Sequence, residues 1–143
     1  MVDIGGSRMI FEIGSELPPK SFFINRQLLI GYANASGDQN PIHQDEAFAQ
    51  SVGLENVIAH GMFTMALAGR YVSDLAGGSE RVREFSSKFL KPVVVPANVD
   101  VELIVSAKVS AVDGDLVKLD VTAICNEVKV LGMAKATISV AAK

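Results

Sequence analysis

The second half of the chain alternates. Val99, Val101, Leu103, Val105, Ala107 and Val109 fall on one side, and Asp100, Glu102, Ser106, Lys108 and Ser110 on the other. Successive side chains of a strand point to opposite faces, so a period of two predicts a long antiparallel strand, Val99 to Ala111, with one buried face. Asp113-Gly114 is a hairpin pair. Behind it Val117, Leu119, Val121 and Ala123 alternate against Lys118, Asp120 and Thr122. A second hairpin at Asn126-Glu127 leads into a strand from Val128 to Val140. Ahead of these, Val82 to Val94 also reads as strand, with Pro92 and Pro96 marking bends or an edge. A sheet with one apolar face needs a cover.

The cover is in the first half. From Gly61 the chain runs through Met62, Phe63, Met65, Ala66, Leu67, Ala68, Gly69, Tyr71, Val72 and Leu75 before Gly77-Gly78. A surface helix keeps a polar face, and this one is apolar nearly all round. It predicts a helix over about Gly61–Ala76 that is buried and closely packed by the sheet. Upstream, residues to Pro19 form a lead-in punctuated by Gly5-Gly6, Gly14 and Pro18-Pro19, with room for a short strand at Met9–Ile13. Ser21–Ile24 reads as a short strand. Asn25 then caps a helix carried by Leu28, Leu29, Tyr32 and Ala33, which stops near Ala35. Asp45 caps a short helix that Gly53 ends. The expectation is an α+β fold forming one domain over residues 1–143, whose sheet edges invite dimerisation.

Composition bounds the partners. Hydrophobic residues make up 49% of the 143 and charged residues 20%, enough apolar material for a core. A net charge of −3 argues against nucleic acid, whose phosphates call for concentrated Lys and Arg. No stretch reaches the roughly 20 apolar residues of a membrane span. Nothing at the N-terminus reads as a signal peptide, and the lone Cys125 suits a reducing cytoplasm.

The chemistry concentrates in Tyr32-Ala-Asn-Ala-Ser-Gly-Asp38-Gln-Asn40-Pro41-Ile-His43. Asp38 and Asn40-Pro41 are each ordinary turn residues on their own. Together with His43, five residues on across a rigid proline, they place a carboxylate and an imidazole within reach of one site. That pair can hold a water and move protons near neutral pH. Gly61 opens the predicted helix, where unpaired N–H groups and the positive dipole end could bind an oxyanion, or where a small residue merely lets helix and sheet meet. His60 reads as structural. One Cys and two separated histidines show no metal-ligand spacing, and no phosphate-binding Gly loop or G-x-S-x-G elbow occurs. Arg81, Arg83, Lys88 and Lys91 are solvated charges or contacts for the phosphates of a carrier.

The loop, with Ala49 in the helix after it, resembles the hydratase 2 signature of MaoC-like (R)-specific enoyl-CoA hydratases and dehydratases. Ile58-Ala-His-Gly-Met62 resembles the segment that opens the family's central helix. With Asn25-Arg26-Gln27, these segments most resemble the (3R)-hydroxyacyl-ACP dehydratase subunits of the mycolic-acid pathway. The resemblance covers nearly the whole chain and implies a single hot-dog fold. It implies Asp38 and His43 as the catalytic pair, Gly61 as the amide that polarises the thioester carbonyl, and Asn40 with Pro41 shaping the substrate loop. It implies reversible hydration of trans-2-enoyl thioesters of CoA or ACP with no metal or organic cofactor. On the residues themselves, the apolar wall of Met62, Phe63 and Met65 suits an acyl chain or is only core. The working form would be a homodimer, or a heterodimer with a related hot-dog subunit. A non-catalytic, partner-dependent subunit is the alternative. A thioesterase on the same fold finds no support, since thioesterase patterns place their carboxylate on the central helix.

Overall fold

The computed structural model describes residues 2–4, 7–9 and 11–140, with side chains from Phe11 to Val140. The expected alternation sits on its central strands. A six-stranded antiparallel sheet runs β3-β5-β6-β8-β4, built from β3 (Glu16–Ile24), β4 (Val82–Phe89), β5 (Val101–Asp113), β6 (Leu116–Cys125) and β8 (Leu131–Ser139), with β7 (Val128–Lys129) paired to β6. The inward set Val101, Leu103, Val105, Ala107 and Val109 is buried, as are Val117, Leu119, Val121 and Ala123 opposite. Asn126 and Glu127 both take positive φ, 50° and 64°, the backbone a two-residue turn needs to match strand twist. Ahead of the sheet, β1 (Val2–Ile4) and β2 (Ser7–Met9) form a hairpin.

Several boundaries differ from the sequence expectation: β4 stops at Phe89 rather than Val94, β5 runs Val101–Asp113 rather than Val99–Ala111, and the hairpin after it turns on Gly114-Asp115 rather than Asp113-Gly114. The lead-in strand ends at Met9, not Ile13, and Ile10 lies outside the described residues. Strand β3 begins at Glu16 and passes straight through Pro18-Pro19. It can do so because it is an edge strand, and the register against β5 shifts between Leu17 and Lys20, where the prolines stand. The final strand is interrupted. The break falls at Val130, between β7 and β8, and just inside β8 Met133 takes φ 45° before the pairing with β6 resumes at Ala134.

Helix α1 (Arg26–Ser36) is capped by Asn25, whose side chain accepts from the Leu28 amide, and closed by Gly37 at φ 83°. Helix α2 (Glu46–Ser51) is capped by Asp45. Helix α3 (Gly61–Ala76) buries Thr64, Ala68, Tyr71, Val72, Leu75 and Ala76. It is not buried all round in this chain. Gly61, Met62 and Ala66 are exposed, with Met65 and Gly69 half-buried beside them. One sheet reaches only one side of a helix, so the other apolar stripe is left bare. Tyr71 ties helix to edge strand, donating its hydroxyl to the Pro18 carbonyl at 2.7 Å. Burial pushes that phenol up to about 12.

Candidate active site

The loop after α1 is built by local chemistry. Gly37 turns the chain in the left-handed region, which a residue with a Cβ enters only at a cost. Asp38 then folds over the next residues, its amide donating to Ser36 Oγ at 3.2 Å and its Oδ1 accepting from the Asn40 amide at 3.1 Å. Asn40 caps the short 3₁₀ turn Pro41–His43, accepting from the Ile42 amide at 3.2 Å. Its side-chain oxygen is thus engaged in shaping the loop.

A second segment meets this loop. Val57 to Ala59 is pinned to the chain before β5: the Ala59 amide donates to Val93 O at 2.9 Å and the Val95 amide to Val57 O at 2.8 Å. Between them Ile58 serves the loop twice. Its amide donates to Ile42 O at 3.2 Å, and its carbonyl lies 2.7 Å from His43 Nδ1. A carbonyl only accepts, so Nδ1 carries the proton and Nε2 is the basic nitrogen. Arg26 braces the same region, donating from Nε to Val95 O at 2.9 Å and from a terminal nitrogen to Asn56 Oδ1 at 2.6 Å.

Asp38, His43 and His60 come together, with one polar side-chain atom from each inside 4.8 Å of the others. Asp38 is exposed; His43 and His60 are buried, at 7% and 2% relative exposure. Burial holds His43 below the ordinary histidine range and the neighbouring His60 adds to this, against the opposing pull of the Ile58 carbonyl and Asp38. The two imidazoles stack at 3.8 Å with planes 24° apart. Imidazole lone pairs lie in the ring plane, so rings stacked this way do not converge on one tetrahedral ion. The two histidines, separated in sequence, thus meet in space, each committing one ring nitrogen to a carbonyl and keeping the other as an acceptor.

Gly61 follows His60 directly as the first residue of α3. First-turn amides have no intrahelical acceptor, so the Gly61 N–H has no helical partner. Next to it opens a cavity of about 330 Å³, whose walls include Gly61, Thr64, Phe89, Leu90, Val130 and Leu131. The apolar wall expected from Met62, Phe63 and Met65 lies elsewhere. Met62 faces solvent and Phe63 packs on Tyr32 at 5.1 Å. Lys91 also borders the cavity, while Arg83 donates to Glu80 O at 2.9 Å. Sequence reading missed the Ile58 carbonyl and the Tyr32 ring, which lies 4.7 Å from His60. A backbone acceptor has no residue signature, but the aromatic one turn ahead of the loop was a visible hint.

Comparison with known proteins places the chain. The model of the MaoC like domain matches residues 12–127. The fatty acid synthase beta subunit TOXC of Cochliobolus carbonum is 41% identical over 76 residues, 50% of this chain and 4% of that protein. The 3-hydroxyacyl-thioester dehydratase X of Mycobacterium tuberculosis is 39% identical over 66 residues, 46% of this chain and 22% of that protein. A solved MaoC-like dehydratase superposes with a TM-score of 0.88 at 32% identity, over 91% of this chain and 41% of that one. The chain therefore spans under a quarter of the length of these two curated relatives. The long antiparallel sheet with its helix is the hot-dog fold of that neighbour.

Proposed function

Because the chain belongs to the MaoC-like domain family, we propose that it hydrates trans-2-enoyl thioesters and, in reverse, dehydrates (3R)-hydroxyacyl thioesters. The observation that carries this reading is the approach of the Asp38 carboxylate and the His43 imidazole to each other beside the first amide of α3. A water held between Asp38 and His43 Nε2 gives a proton to the imidazole as its oxygen bonds to C3. The C2–C3 π electrons move toward the thioester, and the charge on the carbonyl oxygen meets the Gly61 N–H. Proton delivery to C2 from the pair completes the addition, and reversing each step expels water. A fixed donor of this kind contributes about 10²–10³ in rate, and a positioned acid or base roughly 10²–10⁴.

His43 suits the role, since burial favours the neutral form that accepts a proton. The cavity beside Gly61 is apolar enough for an acyl chain, and Lys91 stands at its border for a carrier phosphate, whether CoA or acyl carrier protein. The bare stripe at Met62 and Ala66 supports a second hot-dog subunit, identical or related, against α3. Light scattering on the purified chain distinguishes the stable pair expected here from an orphan subunit.

Asp38→Asn and His43→Gln test the chemistry with crotonyl-CoA, read as loss of enoyl absorbance. Each should lower kcat by at least about 10²-fold. Unchanged turnover in either variant would remove that residue from the mechanism.

A further inference from the structure

The ring of His60 takes no part in the steps above, yet it touches both residues that do. Its Nε2 lies 3.1 Å from the Asp38 carbonyl oxygen, so that nitrogen carries the proton. Its face stacks on His43 at 3.8 Å, and Tyr32 packs on it at 4.7 Å. Its Nδ1 is left as a buried lone pair with no hydrogen-bond partner. A position serving only the core would be better filled by an apolar ring, because a buried acceptor without a donor destabilises the fold.

The Asp38 loop needs such a tether. The bonds from Asp38 to Ser36 and Asn40 stay within two residues. The bond from His60 crosses 22 positions to the rigid start of α3. We infer that His60 is a positioning residue: its Nε2–H fixes the main chain of Asp38, and its flat face sets the plane of His43, so that both address one water. The inference rests on Asp38 and His43 being the catalytic pair.

Two variants divide the roles. His60→Phe keeps the stacked ring and removes the donor, while His60→Gln keeps a donor at nearly the same reach. In the Phe variant kcat should fall about ten- to a hundredfold, the scale of a small misplacement of reacting groups. Its KM should stay within about twofold of the parent's. Its Tm should equal or exceed the parent's, since the orphaned nitrogen is gone. The Gln variant should recover part of the lost kcat. A Phe variant as fast as the parent, or a loss carried by KM or by a lowered Tm, would overturn the inference.

The carbonyl carbon resonance of Asp38 decides the matter independently of turnover. It should move in His60→Phe and hold in His60→Gln, and equal shifts in both, or none, overturn the tether. If the parent chain hydrates no enoyl thioester, the functional reading falls while this resonance still tests the tether.

Discussion

Gly61→Ala separates the amide's role in the reaction from the glycine's role in packing. A Cβ built at Gly61 would stand 3.2 Å from Phe89 Cε1 and 3.3 Å from Cδ1 and Cζ. Carbon contacts are comfortable at about 3.5–4.0 Å, so the ring must give by a few tenths of an ångström. Phe89 is 54% exposed and can swing toward solvent. Alanine gains about 0.5–1 kcal/mol over glycine in mid-helix, and part of that at the first position of α3. The two nearly offset, leaving stability within about 1 kcal/mol of the parent, a Tm shift of no more than about 4 °C at this size. Activity should not be spared. The methyl would stand at the cavity wall beside the amide, where the thioester oxygen must come, and losing that donor costs about 10²–10³ in rate. Thermal melts and enoyl-CoA hydration on one preparation read both quantities. Adding Phe89→Ala relieves the crowding and should leave activity low. A Gly61→Ala enzyme within threefold of the parent, or one restored by removing Phe89, refutes the amide's role.

Other consequences can be measured on the same protein. Burial holds the His43 pKa below its ordinary 6.5, so its contribution to stability is fully present above about pH 6.5 and lost as pH falls through the lowered folded value. Urea midpoints between about pH 7 and 5.5 should therefore fall further for the parent than for His43→Gln, and the acid limb of hydration should lie below about pH 6.5. Arg26→Met strands the carbonyl of fully buried Val95 and should cost about 1–3 kcal/mol in urea unfolding. Tyr71→Phe releases the Pro18 carbonyl from α3 and should cost about 1 kcal/mol.

Much of this was legible where one local rule acted alone. The strands β5 and β6 follow from alternation, and α1 follows from Asn25 and Gly37 acting as caps. Asp38 and His43 were visible as a cluster because a proline turn holds them close. The rest depended on what lies across space. Pro18-Pro19 reads as punctuation until β3 proves to be an edge, where a missing N–H costs nothing. The apolar stripe of α3 reads as buried because sequence cannot say whose sheet covers it. His60 reads as structural since nothing local announces that the Asp38 carbonyl returns to meet it.

The prolines of β3 also govern what can join the sheet. Its two outer strands are β3 and β4. Beside Lys20, the paired prolines offer no N–H, and the register slip there twists that rim away from any incoming strand. The rim of β4 carries no proline, although its register against β8 also slips twice, and it ends at Phe89 against Gly61. The β4 rim therefore keeps N–H groups that the paired prolines take from β3. A second copy docking rim to rim through β4 would use up that side of both sheets.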